Sequence, residues 1–278
     1  MSVTGYAPDT EARLRAECAE IIARYPEPRS ALLPMLHLVQ AEDGYVSASG
    51  IALCADVLGL SRPEVSAVAT FYTQYKRHPN GQYTVGVCTN ALCAVLGGDA
   101  IFETVSGHLG VGHDETTDDG AITLERIECN AACDYAPVVM VNWEFFDNQT
   151  PTSAVDLVRS LRAGEAVAPT RGPSTVGTFK EVSRVLAGFE DGRADEGVAA
   201  GESSLAGLRL ARENGWRAPD LAAPGPHGAA EPEPDVAGAQ TTGGVHSSAA
   251  RKPTTPADKD PETVVEPGKG PDEGGTRE

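Results

Sequence analysis

Four cysteines in two close pairs constrain this chain more than any other feature. Cys88 and Cys93 are separated by four residues, Cys129 and Cys133 by three, and 35 residues lie between the pairs. Each pair follows a segment that reads as a strand, Gln82 to Val87 before the first and Ile122 to Glu128 before the second. Neighbouring strands can deliver both pairs to one end of a sheet, where four thiolates converge. Three chemistries use such a set. Structural zinc most often takes C-x2-C, although spacings up to four occur. A binuclear iron-sulfur cluster needs two cysteines per iron and tolerates wider loops such as C-x4-C. A redox disulfide is the third. The spacing favours the cluster and leaves the other two open.

The residues before the first pair read as a helical bundle of about 70 residues. Thr10 is placed to cap a helix whose apolar positions Leu14, Cys18, Ile21 and Tyr25 recur at helical spacing, and Pro26 and Pro28 end it. A second helix is expected from Ser30 through Val39, a third from Ser49 through Leu58, and a fourth opens at the capping box Ser61-Arg-Pro-Glu64. Cys18 and Cys54 lie on these apolar stripes and are expected to pack as small hydrophobes rather than act as ligands.

Past Phe71 the period changes. Tyr72 to Arg77 and Gln82 to Val87 read as two extended segments joined through Asn80-Gly81, a hairpin signal. A helix is expected within Ala91 to Leu109, with Val95, Leu96, Ile101, Phe102, Val105 and Leu109 as its apolar stripe. Val138 to Asn142 reads as a strand and Ser153 to Leu161 as a closing helix. This order predicts a small α/β layer. His108 and His113 flank the acidic run Asp114 to Asp119, which reads as a solvated turn rather than a cation site. Gly97-Gly98 is too common a pair to mark phosphate binding, and no G-x-G-x-x-G or Walker A loop follows a strand.

Composition then divides the chain. Residues 173–278 carry 16 Gly and 11 Pro, roughly a quarter of that stretch, and beyond Leu221 there is no aromatic residue and no Leu, Ile or Met. The expected domains are a bundle over 1–70, a cysteine-bearing domain over 71–172, and a tail over 173–278, mostly disordered, with helical islands at Thr178 to Leu186 and Leu205 to Trp216. The islands could dock on other chains or be transient helix in a linker. The net charge of −18 argues against nucleic acid as a partner. No apolar run approaches the ~20 residues of a membrane span, and the start, MSVTGYAPDTEARLR, lacks a basic region followed by an apolar one, so a soluble, unexported protein is expected.

The run from Phe71 through Cys88-Thr-Asn-Ala-Leu-Cys93, with Glu128-Cys129-Asn-Ala-Ala-Cys133-Asp-Tyr-Ala-Pro137 and Val138 to Asn142, resembles the small iron-sulfur subunit of NADH-quinone oxidoreductases, respiratory complex I. The resemblance covers roughly Leu14 to Gly164. It implies an α+β fold, a helical bundle joined to a thioredoxin-like domain, holding one 2Fe-2S cluster on Cys88, Cys93, Cys129 and Cys133. It implies no acid-base catalysis by this chain. The expected partner is the NADH-binding flavoprotein subunit with its flavin mononucleotide, within a peripheral arm on the inner face of the cell membrane and without direct membrane insertion. Electrons would pass singly between flavin and cluster, while NADH oxidation, quinone reduction and proton movement belong to other subunits. The same module is reused in NAD-linked hydrogenases and formate dehydrogenases, and a zinc-stabilised interaction module is the non-redox alternative. The family often has Leu-Gly where this chain has Asn130-Ala131.

Overall fold

In the computed structural model, residues 5–197 and 200–218 are described. The expected disordered stretch beyond Leu221 lies outside them.

Four helices form the N-terminal bundle: α1 (Pro8–Ile22), α2 (Leu32–Asp43), α3 (Ala48–Leu58) and α4 (Arg62–Phe71). Leu14, Cys18, Ile21, Met35, Leu36, Val39, Leu53, Cys54 and Val65 fill one core, all essentially closed to solvent. Burial raises the Cys18 thiol to about 12 and the Cys54 thiol further, so both stay protonated hydrophobes, as expected. Ser61 and Glu64 form the predicted capping box. Thr10 does not cap α1, which begins earlier, with Pro8 in its first turn after Ala7. Tyr25 lies past the end of that helix and is exposed.

The second core belongs to a five-stranded mixed sheet of order β2-β3-β1-β4-β5. Its strands are β1 (Tyr83–Cys88), β2 (Glu115–Thr116), β3 (Ile122–Ile127), β4 (Val139–Val141) and β5 (Glu144–Phe146). Strand β1 pairs parallel to β3 and antiparallel to β4. The parallel pair requires a crossover, supplied by α5 (Ala91–Val95) and α6 (Gly98–Leu109). Helix α6 and α7 (Pro151–Arg162) cover one face with Ile101, Phe102, Val105, Leu157, Val158 and Leu161. Val95 and Leu96, expected on this stripe, sit where α5 gives way to α6 and are exposed.

The expected hairpin through Asn80-Gly81 is absent. Residues 72–77 are not a strand, because their backbone bonds go to the bundle and not to β1: Val46 N–H donates to Lys76 O at 2.8 Å. Gly81 N–H instead donates to Thr123 Oγ1 at 2.7 Å. The hairpin that does form joins β4 to β5 through Asn142 and Trp143, both at positive φ (47° and 72°), as a two-residue primed turn demands. A tryptophan in that turn hides it from sequence reading.

The segment past Gly172 is ordered over much of its described length. Helix α8 (Phe179–Leu186) carries a capping box of Thr178 and Glu181 and packs on the bundle, burying Phe179 and Ser183. The fully buried Gln40 amide donates to Gln74 O at 3.1 Å and Ser183 Oγ at 3.3 Å, and its oxygen accepts from Lys76 N–H at 2.8 Å. Arg184 pairs with Glu17 at 2.8 Å. The first tail island is therefore a docked helix of this chain's own fold. The second is α9 (Ala206–Glu213), with no buried residue.

A candidate metal centre at two strand ends

Parallel pairing of β1 with β3 sets Cys88 opposite Ile127, so the chain leaves both strands at the same edge of the sheet. Cys88 closes β1, and Cys93 sits in the middle of the short helix α5. Cys129 stands two residues beyond β3, and Cys133 opens a single 3-10 turn, Cys133–Tyr135. All four line one small cavity with Asn130, Ala132 and Val138. The surroundings are apolar, with Ile127, Met140, Trp143 and Phe145 packed about Cys88, Cys93 and Ala132.

The pairs differ. Cys88 and Cys93 are each 3% exposed, whereas Cys129 and Cys133 face solvent. Burial raises the Cys88 thiol to about 11, opposed by the backbone N–H of Asn90 and aided by the neighbouring Cys93 and Cys129 thiols. Cys133 is raised chiefly by its bond to Cys129, whose sulfur lies 3.3 Å away. A metal or cluster takes the thiolates, so filling this site displaces those protons. Two pairs around one cavity, with no harder donor between them, fit a binuclear cluster.

The backbone is shaped for this arrangement. Ala131 N–H donates to Cys129 Sγ at 3.4 Å, and Ala131 sits at φ 56°. This is the left-handed region, where an alanine costs roughly 1–2 kcal/mol. The site keeps the turn and bears that strain. Gly98, in sequence only half of a common Gly-Gly pair, has a packing role: a Cβ on it would stand 2.4 Å from Cys88 O and 2.9 Å from Cys93 O. Glycine there lets α6 press against both cysteine backbones. Asn90 Nδ2 donates to Glu128 Oε2 at 3.0 Å, tying one cysteine loop to the other.

The acidic run has its own structural duties. Asp119 accepts from Arg162 at 2.5 Å and lies near 2 through the Thr117 hydroxyl and Arg162. His78 pairs with Asp114 at 3.0 Å, and His113 Nδ1 accepts from Arg126 N–H at 3.0 Å. His108 and His113 do not come together as a metal site.

Residues 18–162 match the model of the thioredoxin-like [2Fe-2S] ferredoxin family. An NADH-quinone oxidoreductase subunit of Mycobacterium tuberculosis is 63% identical over 215 residues, 77% of this chain and 85% of that protein. A match of that length extends past residue 172 wherever it begins. An NADH-quinone oxidoreductase subunit of Rhizobium meliloti is 36% identical over 154 residues, 55% of this chain and 92% of that protein. Another, from Thermus thermophilus, is 33% identical over 161 residues, 57% of this chain and 89% of that protein. The family match over residues 18–162 takes in both cysteine pairs, and this chain belongs to the thioredoxin-like [2Fe-2S] ferredoxin family.

Proposed function

We propose that this protein is the electron-transfer subunit of an NADH-quinone oxidoreductase, with one 2Fe-2S cluster held by Cys88, Cys93, Cys129 and Cys133. The observation that carries the reading is the delivery of four cysteines, two per strand end, to a single apolar cavity. When bound, the cluster supplies a one-electron redox couple. The chain's residues do the rest: Cys88 and Cys93 anchor one side in the protein interior, and Cys129 and Cys133 hold the other toward solvent. The N–H groups of Ala131 and Asn90, aimed at sulfur, favour thiolate charge.

The partner in this reading is the flavoprotein subunit that binds NADH and flavin mononucleotide, at the inner face of the cell membrane. Among the described residues no helix is long and apolar enough to cross a membrane. The chain acts through that complex and not as an isolated enzyme. Cys88 to Cys133 lie within the proposed 71–172 domain, with the bundle over 1–70 and the extension from 173 as the other parts of the proposed division.

Iron, acid-labile sulfide and an electron paramagnetic resonance spectrum after reduction test the assignment on anaerobically purified protein. About two irons and two sulfides per chain with a reduced 2Fe-2S signal are expected. One zinc and no iron after anaerobic reconstitution would overturn it.

A further inference from the structure

Residues 163 onward lie beyond the family match, yet part of this segment returns to the cysteine loops. The 3-10 turn that begins at Cys133 carries Asp134 and Tyr135, and both are held from the extension. Ser203 N–H donates to Tyr135 Oη at 3.1 Å, and Ser204 Oγ donates to Asp134 Oδ2 at 3.2 Å. Gly201 passes so close that a Cβ there would fall 2.0 Å from Tyr135 Oη and 2.7 Å from Cζ. On the other side the Arg171 guanidinium lies 5.2 Å from the Tyr135 ring centroid and 3.9 Å from that of Phe145, and pairs with Asp147 at 2.9 Å. Asn148 N–H donates to Tyr135 O at 2.8 Å and completes the grip.

We propose that Gly201–Ser204 is a brace on the loop that carries Cys133, and that Tyr135 is the positioning residue through which it acts. The inference rests on the cluster assignment above. The buried pair needs no brace, because strand β1 and helix α6 already confine it. The exposed pair stands on a loop whose regular structure is a single 3-10 turn, where solvent reaches the sulfurs. Hydrogen bonding and solvent exposure at the sulfurs both set the potential of an iron-sulfur site. The brace therefore makes the properties of the exposed half depend on a segment outside the family's shared domain.

The test compares full-length wild type with Gly201→Val, which cannot keep the segment against Tyr135, and Tyr135→Phe, which keeps the ring and loses the oxygen. Gly207→Ala is the control, since a Cβ there meets nothing within 4 Å. The first readout is amide hydrogen exchange of residues 130–136 in the protein as purified. It should rise severalfold in Gly201→Val, less in Tyr135→Phe and not in Gly207→Ala, with β1 and β3 unchanged. The second is the midpoint potential, which should move upward in the same order as the loosened loop admits more water to the already exposed pair and favours the more charged reduced state.

Unchanged exchange in Gly201→Val would overturn the brace whatever metal the protein holds. Faster exchange with an unmoved potential would overturn its role at the cluster. Absence of iron would fail the cluster assignment instead, while the exchange data would still judge the brace.

Discussion

Helices α8 and α9 are each eight residues long, each apolar on one side, and both belong to the extension. One is seated and the other is open. Phe179 at the start of α8 is 1% exposed and its ring lies 5.9 Å from that of Trp143, whereas Leu208 and Leu210 on α9 are about half exposed. The difference lies in what each helix meets. Helix α8 finds a prepared seat in Gln40, Glu17 and the Glu42 carbonyl, the last accepting from Lys180 Nζ at 2.7 Å. The residues leading into α9 reach Asp134 and Tyr135, and its own apolar side meets no such seat. Amphipathicity specifies half of an interface, and the other half is encoded far away in sequence. Eight residues are too few for a helix to hold itself together in water, so the seat decides whether the helix is stable.

The contrast breaks first at Phe179. Phe179→Ala should cost about 3–5 kcal/mol in denaturant unfolding, as deletion of a fully buried aromatic side chain does. A loss below about 1 kcal/mol would mean that α8 is not part of the fold. Gln40→Ala tests the polar half of the seat, because it strands Lys76 N–H and Ser183 Oγ on buried ground. About 1–3 kcal/mol is expected by the same measurement.

A smaller effect sharpens the comparison through acid. Glu196 accepts from Arg193 and from Ser174 N–H at 3.0 Å, closing a bracket around the segment that carries α8. Those bonds, Arg193's first and then Ser174's, hold its carboxyl near 2 against an ordinary value of 4.5. A depressed carboxyl stabilises the fold fully above its unfolded value, and that contribution fades as pH falls toward the folded one. Thermal midpoints of wild type and Glu196→Gln should therefore differ above about pH 5 and draw together below it. A gap that widens in acid would contradict the bracket. The least change is expected on α9: Leu208→Ala should stay within about 0.5 kcal/mol, and a larger loss would show that its apolar side is covered.

Much of the site was legible because its chemistry is local. Two cysteine pairs, each after an apolar run, state both the proposed donors and the strand ends, and the parallel pairing of β1 with β3 brings those ends together. The bundle was equally readable from helical spacing and the Ser61–Glu64 box. Failures came where the deciding partner was remote. Residues 72–77 have strand composition, but Gly44 and Val46 of the bundle hold the backbone of this stretch and of Asn80 beyond it. The β4–β5 turn uses Asn142-Trp143, with Asn142 held by Thr84 N–H and Gly177 O, so long-range bonds stabilise a conformation that local propensity disfavours. Helix α8 had a local signature, its Thr178–Glu181 box, yet its seat on Gln40 had none.

The crossover between β1 and β3 also sets an order of events during biogenesis. The first cysteine pair is complete soon after β1 leaves the ribosome, but the second follows only after α5, α6 and β2 have been made. Parallel pairing over that separation is a non-local step, slow relative to helix formation. In the interval Cys88 and Cys93 lack the partners that complete the site, and thiols without their partners are open to oxidation and mispairing. The time for which the first pair waits is therefore set by the synthesis and pairing of β3.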